Sequence, residues 1–147
     1  TWKVGNKLPS SAINSHGGSG MAYSSGAGTE AKYYLITSEL SSVNKISYYY
    51  ALPSWAGDVS YFTVEYTTDL NGGLWIPLTE KYGDVKEWTY GEIDLSEIKG
   101  SFYLAFVHED HFGYGVAIDD IVITSGTPLI ETQIVWSNGV VKQGPNT

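Results

Sequence analysis

The chain contains 147 residues, with 8 Lys plus Arg against 16 Asp plus Glu, which gives a formal net charge of −8. Nucleic acids and anionic membrane surfaces would repel such a chain, so both partner classes are excluded, whereas a cation or a neutral polar ligand suits the charge. The sequence has no cysteine, which excludes disulfides, thiolate metal sites and cysteine nucleophiles.

Length and residue content favour one all-β domain. A chain of this size suits a single domain, and no apolar run reaches the ~20 residues of a membrane span, so we expect no membrane insertion. The 5 Trp, 12 Tyr and 17 Gly are typical of strands joined by glycine-containing turns. The chain begins at Thr1 without a signal peptide, so we expect a domain excised or processed from a longer chain.

The predicted elements are short strands separated by turns rich in Gly, Pro, Asn and Ser. In chain order they cover residues 2–4, 21–24, 32–37, 45–52, 61–67, 74–76, 87–95, 101–109 and 114–124. Asn138-Gly139 then gives the signal of a tight hairpin. This pattern predicts an antiparallel jelly-roll β-sandwich. We assign 1–126 to that domain and 127–147 to a C-terminal hairpin or linker.

The strand predicted at 114–124 organises the rest of the chain. Its apolar residues fall on both parities, which is typical of a central strand covered on both sides. Asp119 and Asp120 interrupt it, and buried carboxylates need a metal, hydrogen bonds or an opposite charge. Adjacent side chains point to opposite faces, so the two need different partners. Asp119 shares its parity with Ile121 and Ile123 and is expected to point into the sandwich.

Two further sets of ionisable residues have side chains suited to a metal site or a catalytic site, but the sequence around them lacks the pattern of such a site. The run 108–111 offers two imidazoles and a carboxylate to a transition metal, but its spacing does not turn both rings one way, and a solvated turn is the alternative. A glycosidase needs two facing carboxylates, and the acidic run offers Glu80, Asp84, Glu87, Glu92 and Asp94. No recognisable catalytic context and no nucleophile-elbow motif accompany them, so we predict no catalytic residues.

The aromatic surplus suggests a platform for sugar rings. Exposed aromatic faces stack on sugars, while nearby Asp, Asn and Gln bind hydroxyl groups; the alternative is that the tryptophans fill the core. Trp55 follows Pro53-Ser54 in a predicted loop and is the best single candidate for an exposed tryptophan. The predicted ligand-binding residues are Trp55, Trp75, Trp88, Tyr90 and Tyr114.

Four blocks of the sequence together resemble the cleaved-adhesin (gingipain haemagglutinin-type) domains, whose wider relatives are the MAM-like jelly rolls of bacterial surface proteins. The blocks are residues 16–18, 32–37 with 39–40, 45–51, and 104–108 followed by 117–121. The resemblance implies a jelly-roll sandwich, an extracellular location, a structural calcium ion and a role in adhesion. Asp119 and Asp120 match the family's Asp pair near the last strand, so the resemblance implies that they ligate Ca²⁺.

The sequence therefore predicts a non-catalytic, secreted or surface-displayed binding module of a larger bacterial protein. Its expected partner is a glycan, bound through loop aromatics, with neighbouring domains of the same polypeptide beside it. One alternative is an adhesion domain that binds a host or other extracellular protein. Another is a carboxylate-dependent glycoside hydrolase.

Overall fold

The computed structural model describes residues 1–26, 30–125, 134–136 and 141–142. These residues contain twelve strands: β1 (Trp2–Gly5), β2 (Met21–Ser25), β3 (Lys32–Ile36), β4 (Val43–Leu52), β5 (Tyr61–Thr67), β6 (Ile76–Pro77), β7 (Tyr82–Gly83), β8 (Val85–Asp94), β9 (Tyr103–Glu109), β10 (Gly115–Ser125), β11 (Ile134–Trp136) and β12 (Val141–Lys142). Within these ranges there is no helix, and so none that could cross a membrane.

The strands form two antiparallel sheets, which confirms the predicted β-sandwich. In the first sheet, β10 lies between β2 and β4, β1 extends the sheet beyond β2, and β8 extends it beyond β4. In the second sheet, β9 lies between β3 and β5, and both β6 and β7 pair with β5. The backbone of β11 pairs with the end of β10, and β12 pairs with β11.

Of the predicted C-terminal hairpin or linker at 127–147, the structure describes only residues 134–136 and 141–142. The predicted turn at Asn138-Gly139 lies outside the described residues, and the division of the chain at residue 126 stays a prediction.

Aromatic and branched side chains from alternate strand positions fill the space between the sheets. Tyr48 of β4 is 1% exposed and meets Phe62 and Phe106 of the second sheet edge to face, at centroid distances of 6.1 and 5.8 Å. Gly91 of β8 lies against the Tyr48 ring, so closely that an added Cβ would stand 2.6 Å from it. The core therefore requires a residue without a side chain at this position of β8.

A second apolar cluster covers the outside of the first sheet. The connection between β1 and β2, residues 6–20, is here called the outer loop; its Leu8 and Ile13 are 0% and 8% exposed. They pack with Met21, Ala51 and Ala117 from the outward positions of β2, β4 and β10. β10 is therefore covered on both faces, which confirms the prediction of a central strand.

A β-bulge in β10 overturns the predicted direction of Asp119. The register pairs Asp119 with Tyr49 and Val122 with Ser47, so β10 has one more residue than β4 in this interval. Asp120 lies in the bulge with a left-handed φ of 51°.

The bulge exchanges the two faces of the strand, and a parity count along the sequence does not detect it. Asp119 consequently points outward on the same side as Ala117. The core-facing residues are Val116 and Ile118 before the bulge and Ile121 and Ile123 after it.

Candidate functional site

The two carboxylates of the bulge fasten the outer loop to the first sheet. Asp119 Oδ2 accepts hydrogen bonds from the backbone N–H of His16 at 2.8 Å and of Gly17 at 3.0 Å, and its Oδ1 accepts one from Asp120 N–H at 2.8 Å. Asp120 Oδ2 lies 2.6 Å from His16 Nδ1. The His16 ring stacks on Tyr49 with centroids 3.9 Å apart. The pair thus holds the loop by backbone amides and one imidazole.

The surroundings of the Asp119 and Asp120 carboxylates do not fit a calcium ion. Calcium takes roughly six to eight oxygen ligands, whereas N–H groups already point at both oxygens of Asp119 and an imidazole nitrogen faces Asp120. Among the residues described, no group of three or more His, Cys, Asp or Glu could hold a metal ion. Calcium at Asp119 and Asp120 stays a prediction that rests on the resemblance.

The run 108–111 is not a solvated turn as a whole, because His108 and Asp110 are both 0% exposed. His108 Nδ1 lies 2.7 Å from Ser24 Oγ, and its Nε2 lies 4.0 Å from Asp110 Oδ1. Burial lowers the pKa of His108 to about 4 against the opposing charge of Asp110, so the imidazole is neutral at pH 7. Ser24 is fully buried as well, so a substrate has no access to this Ser–His–Asp line.

The five acidic residues between 80 and 94 are exposed, and Asp84, Glu92 and Asp94 bond to neighbouring side chains. Asp84 bonds to Lys86 at 2.9 Å, and Glu92 bonds to Lys45 at 2.6 Å. The hydrogen bond from Lys86 holds the pKa of Asp84 below its usual value, and that from Ser96 does the same for Asp94. A glycosidase acid needs a raised pKa. Asp84 and Asp94 therefore lack the raised pKa that the hydrolase alternative requires of its acid.

The structure brings the five predicted ligand-binding residues to three separate places. Tyr90, 51% exposed, and Trp88, whose Nε1 donates to Asn14 O at 2.9 Å, lie on the outer face of the first sheet. Trp55 and Tyr114 meet at one end of the sandwich with ring centroids 6.3 Å apart. Trp75 lies on the second sheet.

Trp75 belongs to an aromatic bridge across the outer face of the second sheet. It directly precedes β6, and its ring lies 5.7 Å from that of Tyr34 on β3. The strand order places β9 and β5 between them, a span of about 14 Å at the usual strand spacing. The two rings therefore reach toward each other over the middle strands.

Polar side chains of β5 lie beneath this bridge. Thr63, Glu65 and Thr67 alternate with core residues and point away from the core, yet they are only 7%, 7% and 3% exposed. Thr63 Oγ1 donates a hydrogen bond to Glu65 Oε2 at 2.6 Å. Burial, followed by the charge of Glu65, raises the pKa of Tyr34, so its hydroxyl remains a donor at neutral pH.

A charged rim closes one end of the same face. Glu109 of β9 bonds to His111 Nε2 at 2.7 Å and to Lys81 Nζ at 3.1 Å, and Lys32 Nζ is 3.9 Å away. Burial acts to raise the pKa of Glu109, but the bonds from His111 and Lys81 and the charge of Lys32 hold it below its usual value. We call this surface, with Tyr34, Trp75, the β5 floor and this rim, the aromatic face.

Sequence reasoning found only Trp75 of this face. The sequence places Tyr34 in a strand and does not mark it as a ligand-binding residue, and Glu65 gives no signal because it alternates normally within β5. The alternation of β3, in which Tyr34 and Ile36 share the outward parity, was the one available indication of an exposed aromatic.

The fold is an antiparallel jelly-roll β-sandwich, and solved structures of other proteins share it. The K1 cleaved adhesin domain of Lys-gingipain from Porphyromonas gingivalis is similar with a TM-score of 0.59 and 22% identity, over 84% of this chain and 83% of that one. This likeness confirms the predicted resemblance. No family model matches the sequence, and no curated protein matches it.

Two carbohydrate-binding modules share the fold. TmCBM61, solved in complex with β-1,4-galactotriose, has a TM-score of 0.53 and 16% identity over 84% of this chain and 81% of that one. The CBM22-1 xylan-binding domain of Xyn10C from Paenibacillus barcinonensis has a TM-score of 0.53 and 17% identity over 83% and 80%. At these identities the likeness defines the fold.

Proposed function

We propose that this chain is a non-catalytic glycan-binding module and that the aromatic face is its binding surface. The observation that carries the proposal is the Tyr34–Trp75 bridge beside a charged rim, since a sugar binds to aromatic ring surface and to hydrogen-bonding groups next to it. The two carbohydrate-binding structures of the same fold support the ligand class. The module would work extracellularly or at the surface of a bacterial cell, within a larger protein.

Each part of the face has a separate task in this proposal. The bridge presents ring surface to the apolar CH groups of a sugar, while Glu109 accepts and Lys81 donates hydrogen bonds to its hydroxyl groups at the rim. The floor fixes the bridge from below. No reaction is required of any of these groups.

Affinity electrophoresis in gels that contain xylan, β-1,4-galactan, mannan or soluble cellulose derivatives tests the proposal. At least one neutral polysaccharide should retard the domain. Trp75→Ala and Tyr34→Ala should each weaken the retardation about tenfold, because an aromatic contact contributes about 1 kcal/mol or more. Tyr90→Ala is the matched control, since Tyr90 is an exposed aromatic on the other sheet. Retardation that survives both variants of the face would refute this surface.

A protein partner is the second candidate, and one observation favours it. Leu70 and Leu74 are 44% and 70% exposed in the segment before Trp75, and Ile76 is 42% exposed directly after it. Contiguous exposed apolar side chains are typical of protein-binding surfaces. If no polysaccharide retards the domain, pull-down with extracellular matrix proteins and loss of capture by Leu74→Ser would establish adhesion to protein instead.

A further inference from the structure

A cleft separate from the aromatic face opens at the end of the sandwich where β4 ends and β10 begins. Its volume is about 350 Å³, near the lower limit for ligand pockets, and Trp55 and Tyr114 form two of its walls. Pro9 and Ser10 of the outer loop form another. We call it the end cleft. The aromatic face lies on the other sheet and shares no residue with it.

The backbone around Trp55 holds this side chain out from the surface. Trp55 and Asp58 exchange backbone hydrogen bonds of 2.9 and 2.8 Å across a two-residue turn. Ala56 and Gly57 at its centre have left-handed φ angles of 51° and 92°, the conformation of a tight hairpin turn. Trp55 is nevertheless 55% exposed. A large apolar ring therefore projects from a hydrogen-bonded turn without being covered.

The remaining wall of the cleft consists of bare backbone. Gly26 N–H donates to Tyr114 O at 2.8 Å, and an added Cβ on Gly26 would stand only 1.9 Å from Gly113 O. Ser25 and Ser10 supply hydroxyl groups beside these glycines. No Asp, Glu, Lys, Arg or His is among the described residues that line the cleft. The cleft thus offers two aromatic rings and neutral hydrogen-bonding groups.

We propose that the end cleft binds one neutral sugar ring, such as the terminal residue of a glycan chain. The Trp55 ring would stack on the sugar's apolar face, Tyr114 beside it would extend the apolar wall, and the serine hydroxyls would bond to sugar hydroxyls. The end cleft would bind the same class of ligand as the proposed function, a neutral glycan, but it uses none of the residues of the aromatic face. A half-enclosed cleft at the end of the sandwich admits a chain end, whereas the aromatic face can accept the middle of a chain.

Saturation-transfer NMR with methyl glycosides of neutral hexoses and pentoses tests this site. The unmodified domain should give transfer to at least one glycoside, and Trp55→Ala should weaken its affinity about tenfold. Trp55→Phe keeps a ring and should retain most of the signal. Tyr90→Ala should leave it unchanged, because that exposed residue belongs neither to the end cleft nor to the aromatic face. A melting curve for each variant establishes that it is folded.

The outcomes separate the two sites. Absence of transfer from every glycoside, or transfer equal in Trp55→Ala and the unmodified domain, would overturn the end cleft. Transfer that depends on Trp55 in a domain that no polysaccharide retards would support the cleft and refute the aromatic face. Transfer lost in Trp75→Ala but kept in Trp55→Ala would show that single sugar rings bind to the aromatic face, and it would overturn the inference.

Discussion

Replacement of Asp119 by alanine tests whether the bulge holds the outer loop without a metal. The substitution removes the acceptor of three backbone N–H groups, those of His16, Gly17 and Asp120. Hydrogen bonds to a charged group contribute about 1.5–3 kcal/mol each when buried, and Asp119 is half-buried, so water compensates part of the loss. We expect a net loss of about 2 kcal/mol, or roughly 6 °C in melting temperature.

Two assays measure this loss. Calorimetry at pH 7 gives the melting temperature, and limited trypsin digestion reports on the loop, because Lys7 precedes the fully buried Leu8. Asp119→Ala should expose the Lys7–Leu8 bond to cleavage at a rate that the unmodified domain does not show. Asp119→Asn, which keeps an acceptor oxygen, should lie between the two.

Calcium is the control in the same experiment. With the pair bonded to amides and to His16, the unmodified domain should melt at the same temperature in calcium and in chelator. A calcium-dependent rise of several degrees that Asp119→Ala abolishes would refute the reasoning, because an ion that binds the folded chain stabilises it by mass action. An unchanged melting temperature in Asp119→Ala would refute it as well.

Three further changes test the core. Below pH 6.5 an unfolded chain binds a proton at His108, whereas the folded chain does so only near pH 4. The free energy of unfolding, measured in urea, should therefore fall by up to ~3 kcal/mol as the pH is lowered from 6.5 to 4. His108→Gln should remove this part of the pH dependence. Phe106→Ala should cost about 3–5 kcal/mol in the same assay, because the ring is 1% exposed. Gly91→Ala should cost about 1–3 kcal/mol, since its Cβ would stand 2.6 Å from the Tyr48 ring; a stability equal to that of the unmodified domain would contradict the packing.

The strands were predictable because alternation and glycine-containing turns are local signals. The predicted strand at 61–67 coincides with β5, the one at 32–37 is one residue longer than β3, and the one at 114–124 is shifted from β10 by one residue at each end. The two-residue β7 was missed, since pairing with β5 and not its own sequence makes it a strand.

The position of the functional residues was less predictable, for two physical reasons. A single inserted residue in β10 reverses the faces of the strand, and no pattern in the sequence marks where such a bulge falls. The aromatic face depends on which strands become neighbours: Tyr34 and Trp75 are brought together only because β3, β9, β5 and β6 adopt that order. Sequence reasoning identified aromatic residues but could not sort them by surface.

Gly17 shows how the same limit applies to the loop. Its position opposite the bulge leaves no room for a side chain, because a Cβ would lie 2.8 Å from Asp120 Oδ1. The sequence shows this glycine only as part of a flexible stretch, and its contact with a residue 103 positions away exists only in the folded chain.

The most direct test of the central claim is an NMR titration of the ¹⁵N-labelled domain with the oligosaccharide of whichever polysaccharide retards it. The indole N–H signals of Trp55, Trp75 and Trp88 report separately on the end cleft, the aromatic face and the outer face of the first sheet. Binding at the aromatic face predicts a shift of the Trp75 indole signal together with amides of β3, β5 and β9, and an unmoved Trp88 signal. Shifts confined to Trp88 and the strands of the first sheet would contradict it.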